Sequence, residues 1–238
     1  MKAGSMDVKV TRVYKFLSAE FALENLEKGH IKISTFPDMN DPFELLGGLR
    51  SDPQLGPYLT ALVSCLNDSC GVLCFTRDWH NAILWSHYAD KHKGICLGLD
   101  VRVSENLELN EPHYVATRPD FDSDLKSLIE ASTKISDLAP SDFHACMEVA
   151  KRMLLTKFEE WSYENEVRAF VEMKPEQKQG SLYFAQFDED IQPRTIVLGP
   201  RCSTLPEEIQ AAISGYSPPI TVERTMLSPD SFEVIESD

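Results

Sequence analysis

The stretch Trp161–Met173, WSYENEVRAFVEM, opens on aromatics, turns charged and ends apolar. Read as a β-strand from Glu164 onward, its side chains alternate between two faces. Glu164, Glu166, Arg168 and Phe170 then share one face, and Asn165, Val167, Ala169 and Val171 the other. The second face is mostly apolar and belongs against a core. The first is either a solvated ladder of charges or the floor of a cleft. Phe170 favours the cleft, because an exposed charged row seldom continues into a Phe. A carboxylate beside an arginine has a lowered pKa and stays ionised. An ionised carboxylate can stabilise a developing positive charge.

Outward from this strand, the chain reads as mixed secondary structure. Lys9–Phe16 predicts a first strand, with Val10, Thr11 and Val13 supplying β-branched bulk. Ser18 is placed to cap a helix over Ala19–Lys28, and Gly29 to stop it. Further strands are expected at Ile31–Thr35, Gly71–Thr76, Ile95–Val101, Leu182–Phe187, Arg194–Gly199 and Ile220–Thr225. Further helices are expected at Pro57–Leu66, Asn81–His92 (closed by Gly94), Ser123–Thr133, Ser141–Phe158 and Leu205–Ser214. Strands and helices do not alternate strictly, which argues for an α+β fold rather than a doubly wound parallel sheet. We expect a single domain over residues 7–238, with residues 1–6 a cloning remnant.

The net charge of −15 repels phosphate backbones, so non-specific nucleic-acid binding is not expected. The local exceptions are Lys91-His92-Lys93 and, second, Lys151-Arg152, both of which read as solvated helix surface. Six cysteines contain no Cys-x-x-Cys pair, and the zinc-like spacing of His87 and His92 has no paired cysteines beside it. Cys74 and Cys96 lie in apolar runs and read as small core residues. Such sparse cysteines fit a reducing cytoplasm. No apolar run approaches the roughly 18 residues of a membrane span, and no signal peptide is visible. Rossmann, P-loop, zincin and nucleophile-elbow motifs are absent, so any chemistry must come from dispersed residues.

Besides the opening stretch, two clusters carry functional residue types. In Met39–Glu44, MNDPFE, a turn accounts for Asn40, Asp41 and Pro42. It accounts less well for Phe43 and Glu44, which suit the rim of a pocket. In Trp85-Ser86-His87-Tyr88, Trp85 and Tyr88 lie one helical turn apart. They form either a core stripe or a platform for stacking a flat ring. His87 is then a hydrogen-bond donor or proton shuttle, or simply structural. A metal-dependent hydrolase or nuclease using Asp41, Glu44, Glu164 and Glu166 is a second reading. A non-catalytic module with one buried polar network is a third.

Seven pieces, in order, resemble a bacterial family filed as domain of unknown function 2971. They are Val13–Phe16, Asn40–Glu44, Cys74–Thr76, Trp85–Asp90, Gly94–Asp100, the Trp161-x-Tyr163-Glu164-x-Glu166-x-Arg168 run and Val197–Pro200. The resemblance implies a bacterial protein of a defence or toxin system, with an unknown macromolecular target and a regulatory partner protein among its expected partners. In layout alone the chain is also similar to ADP-ribosyltransferases, which implies a split sheet holding NAD as substrate. Glu166 is then the catalytic carboxylate. Tyr14, Lys15, Asn40, Trp85, His87, Tyr88 and Arg168 contact NAD, with Asp41, Glu44 and Glu164 in support. No metal is implied. The usual first-strand Arg or His and the Ser-Thr-Ser signature are missing here.

Overall fold

In the computed structural model, the described residues are 9–41, 43–44, 69–104, 107–123, 126 and 148–237, with single positions 55, 56, 60, 64, 66 and 67. The chain begins β1 (Val10–Leu17), α1 (Ala19–Lys28), β2 (His30–Ile33), β3 (Cys70–Thr76), α2 (Ala82–Tyr88) and β4 (Ile95–Arg102). It continues β5 (His113–Val115), a helical run at 148–154, β6 (Thr156–Phe158), a 3-10 turn (Glu159–Glu164) and β7 (Glu166–Glu172). It ends β8 (Lys178–Gln179), β9 (Leu182–Gln186), β10 (Ile191–Leu198), α3 (Pro206–Ile213), β11 (Thr221–Leu227) and β12 (Val234–Glu236). The helices expected at Pro57–Leu66 and Ser123–Thr133, the start of Ser141–Phe158, and residues 1–6 fall wholly or mostly outside the described residues. Among the described residues, no helix is long and apolar enough to cross a membrane.

The fold is α+β around a mixed seven-stranded sheet in the order β12-β11-β10-β4-β1-β3-β7. Every pair in it is antiparallel except β10 with β11. β1 pairs with β4 along its whole length, from Val10↔Arg102 to Leu17↔Ile95. With β3 it registers only at Tyr14↔Thr76. Beyond that point the two strands part, and other groups take up the backbone donors and acceptors left over. Ser34, just past β2, exchanges two 2.9 Å hydrogen bonds with Val72 of β3. Lys15 donates from Nζ to the Cys74 carbonyl at 3.0 Å. A buried carbonyl must find a partner, and here a lysine side chain supplies it. The smaller sheet, β2-β9-β8, leans on the main sheet through the Ser34–Val72 bridge.

One face of the main sheet carries Val13, Leu73, Phe75, Leu97, Leu99, Val167, Ala169 and Ile196, packed with Ala22 and Leu26 of α1 and Ile209 and Ala212 of α3. The α1 caps match their sequence signals: Ser18 Oγ accepts from the Phe21 N–H at 3.3 Å, and Gly29 is left-handed at φ 65°. Two separate pieces cover the opposite face. α2 inserts Trp85 against Phe16, Cys96 and Val197, while the run 148–154 packs on Val72, Leu66 and Phe36. The gap between these covers, over the parting of β1 and β3, is the candidate site.

Three local expectations need correction. The strand of the opening stretch starts at Glu166, not Glu164, because Asn165 turns left-handed at φ 43° after the 3-10 turn. Val167 and Ala169 are nonetheless core, and Glu166 and Arg168 are buried on the other face. Thr156–Phe158 is a strand rather than a helix end, pairing in parallel with β5. Finally, α2 stops at Tyr88, where Asp90, Lys91 and His92 follow with φ of 42°, 54° and 72°. Three left-handed non-glycine residues cost about 1–2 kcal/mol each. The His92 N–H to Trp85 carbonyl bond (3.0 Å) and the Gly94 N–H to Ala89 carbonyl bond (2.8 Å) hold this turn. Gly94 closes it by close approach, since a Cβ there would stand 2.1 Å from the Leu17 carbonyl oxygen.

Candidate functional site

The parting of β1 from β3 opens into a cleft of about 170 Å³. Tyr14, Lys15 and Phe16 of β1 form one wall, and Cys74 and Thr76 of β3 with Glu166 and Arg168 of β7 form the other. Because the strands diverge, side chains from both faces of β1 reach the opening. Asn40 and Glu44 close it from one loop, Tyr88 from the end of α2, and Lys157 and Glu164 from the segment before β7.

Its floor is a buried ionic cluster. Arg168 is fully buried, and Glu44, Lys157, Glu164 and Glu166 are each at most 7% exposed. Arg168 grips Glu166 with two parallel bonds, Nε to Oε1 and Nη2 to Oε2, both 2.8 Å. Such fork-to-carboxylate pairs are the strong ones. Its Nη1 donates to the Leu154 carbonyl, satisfying a helix-end acceptor, and lies 2.6 Å from Glu44 Oε2 without an aligned N–H. Lys157 bridges all three glutamates: Glu166 at 2.8 Å, Glu44 at 3.4 Å, and Glu164 in a short contact.

The electrostatics follow from this geometry. Burial pushes the Glu166 carboxyl up, but Arg168 and Lys157 outweigh it and bring it down to about 2. For Lys157, burial works against the charge, yet the three glutamates hold the ammonium well above its ordinary range. Burial and the Glu164 carboxylate push the Tyr88 hydroxyl far up, so it stays protonated and acts as a donor. Tyr88 donates to Glu164 and accepts from Asn40 Nδ2 at 2.6 Å, linking the exposed rim to the floor. Lys15, half-buried, has burial lowering its pKa. Among the described residues it has no carboxylate within ion-pair distance. The cluster therefore holds one uncompensated negative charge with one unpaired ammonium at its edge.

The structure brings Tyr14, Lys15, Asn40, Glu44, Tyr88, Glu164, Glu166 and Arg168 to this one cleft. Asp41 serves it indirectly. Its carboxylate accepts from the Phe43 N–H at 2.9 Å, and its carbonyl from the Glu44 N–H at 3.0 Å, turning Glu44 inward. Trp85 does not reach the cleft: it is fully buried, meets Phe16 edge-on at 4.9 Å and donates from Nε1 to the Trp79 carbonyl. His87 is exposed and touches the Tyr163 hydroxyl at 3.4 Å. Arg168 is too completely engaged to contact a ligand phosphate, so it positions Glu166 instead. Cys96 is core, whereas Cys74 lines the cleft with its thiol pushed up to about 12 by burial. Lys157 is the site residue that sequence reasoning missed. It sits on a segment expected to be the end of a helix, with no local signal to mark it.

A metal has little place here. Lys157 and Arg168 stand between the carboxylates, Asp41 is spent on its turn, and no group of three or more ligating side chains is spaced for an ion among the described residues. Compared with known proteins, the chain matches no curated protein and no solved structure. The family match takes in Tyr88, the left-handed turn, Glu164, Glu166 and Arg168, and leaves out the resembling pieces at Val13–Phe16, Asn40–Glu44, Cys74–Thr76 and Val197–Pro200. Over residues 84–169 the chain matches the family described as Protein of unknown function (DUF2971), and the resemblance to that family is shown over this stretch.

Proposed function

We propose that the cleft binds NAD and breaks its nicotinamide–ribose bond, passing ADP-ribose to a macromolecular acceptor, as an effector of a defence or toxin system would. The observation that carries this reading is the shared opening of two opposite groups. Glu166 is held ionised, and Lys15 is an ammonium without a carboxylate partner. Bond cleavage leaves the electron pair on nicotinamide and a cation on the ribose, as in other glycoside cleavage. The acceptor then bonds that carbon and gives up a proton. Glu166 faces the cation, kept in place by Arg168 and Lys157. Tyr88 and Tyr14 offer aromatic faces to the cationic ring, and Lys15 meets phosphate. At about 170 Å³ the cleft admits the nicotinamide–ribose end, and the adenosine half has to lie outside it.

Purified protein with NAD should release nicotinamide, read by chromatography, and Glu166→Gln should lower the rate by at least ~100-fold. Absence of NAD binding by calorimetry, even at millimolar cofactor, refutes the proposal. A scaffold reading has one observation in its favour, the complete burial and pairing of Arg168. It expects Glu166→Gln to lose stability while any nicotinamide release continues.

A further inference from the structure

The two basic pairs of this acidic chain end differently. Lys151 pairs with Glu108 at 3.2 Å, and Arg152 stacks on Phe121. Lys91 and Lys93 are exposed, and among the described residues neither has a carboxylate within ion-pair distance. A third cation joins them from far along the sequence. The turn after β10 docks on the left-handed turn backbone to backbone, with Gly199 N–H to the Gly94 carbonyl and Arg201 N–H to the His92 carbonyl, each 3.0 Å. Close approach requires the glycine: a Cβ on Gly199 would stand 2.4 Å from the His92 carbonyl oxygen. Arg201 is exposed and likewise has no carboxylate partner among the described residues. Elsewhere on the surface Arg12, Arg77 and Arg102 find acidic partners. Lys9, Lys178 and Arg224 are also exposed without a carboxylate partner among the described residues, but they stand on or beside three different strands, whereas on this chain of net charge −15 Lys91, Lys93 and Arg201 meet on one strained and locked backbone turn.

We propose that Lys91, Lys93 and Arg201 form a phosphate-binding surface that docks the backbone of a single-stranded nucleic acid. Phosphate suits it because guanidinium and ammonium groups together meet successive backbone oxygens. The acidic remainder of the surface repels the same polymer, so binding is confined to this patch and strongly salt-dependent. The patch begins three residues past Tyr88 at the cleft, yet its role does not depend on what the cleft does.

The probe is a fluorescein-labelled single-stranded RNA of about 20 nucleotides, followed by anisotropy from about 50 to 200 mM salt. The intact protein should bind with a dissociation constant between about 1 and 100 µM at the low end, and three phosphate contacts give a slope of log K against log salt near −2. The triple variant Lys91→Asn, Lys93→Gln, Arg201→Gln should bind at least ~10-fold more weakly with a slope near zero. Asn is chosen at Lys91 because it tolerates the left-handed backbone, and an unchanged melting temperature shows that the fold is kept. No RNA binding at low salt, equal binding by the variant, or displacement of the RNA by an equal concentration of polyglutamate would each overturn the proposal.

Discussion

Replacing Glu166 with Gln keeps the shape of the side chain and removes its charge. The structure sets the size of the effect. Glu166 accepts three charge-assisted bonds, two from Arg168 and one from Lys157, in a nearly solvent-free position. Its carboxyl titrates near 2 in the fold against an ordinary 4.5. A depressed carboxyl contributes stability that is complete above the unfolded pKa and is lost as pH falls toward the folded one. At about 1.4 kcal/mol per unit, the difference amounts to roughly 3 kcal/mol at pH 7. By pH 3 it should shrink to about 1 kcal/mol, since the carboxyl has by then lost its charge in the unfolded chain and is beginning to lose it in the folded one.

Urea unfolding at several pH values measures this directly, using the intrinsic fluorescence of Trp79, Trp85 and Trp161. Trp161 lies 5.3 Å from the Lys157 ammonium and reports on the cluster, while Trp85 reports on the core. The expected result is a gap between native and variant stability that holds from pH 7 to about pH 5 and narrows from there to pH 3 at constant m-value. Equal stability at pH 7, or a gap that stays constant across the range, would refute the account of Glu166 as a clamped and ionised carboxylate.

Lys157→Met should destabilise by about 3–5 kcal/mol at pH 7, because three glutamates then share one arginine. Gly94→Ala drives a Cβ to within 2.1 Å of the Leu17 carbonyl and should cost well over ~1 kcal/mol by urea titration. His30 is 1% exposed and stacked on Phe184 at 4.0 Å, and burial lowers its pKa below the ordinary 6.5. The fold holds it neutral, so its contribution is present above 6.5 and is lost as pH drops below that value. Urea midpoints should therefore fall between pH 6.5 and 5 more steeply in the native protein than in His30→Gln.

Local signals carried the parts of the fold that local chemistry decides. Ser18 and Gly29 frame α1 as their capping preferences require, and alternation along Glu166–Ala169 separates core from cleft side chains. The split is different. It depends on Lys15 replacing a strand at the Cys74 carbonyl and on Ser34 taking Val72, contacts that close over 59 and 38 residues respectively. No pattern within β1 announces them. Trp85 and Tyr88 do sit one turn apart, but α2 is only seven residues long and Tyr88 is its last. The same stripe therefore feeds the core at one end and the cleft at the other. Lys157 was invisible because its burial comes from parallel pairing with β5 after the helical run ends, an outcome decided by packing.

The charge balance of the cleft argues against a purely structural role for it. Buried ion pairs are poor sources of stability, since apolar residues of similar volume do as well or better. A fold needing only a filled gap between α2 and the run 148–154 had no use for three glutamates there. Nor would it leave one of their charges uncompensated while Lys15, within the same opening, turns to a backbone carbonyl instead of a carboxylate. Taken together with Lys15, and with the Asp38 carboxylate paired to Lys32 at 3.1 Å, the opening is neutral overall, with three glutamates gathered on its floor and the Lys15 ammonium at its edge. A simple anion or cation gains from only one side. The NAD proposed for the cleft would gain from both, since its nicotinamide end carries a positive ring and a negative phosphate a few bonds apart.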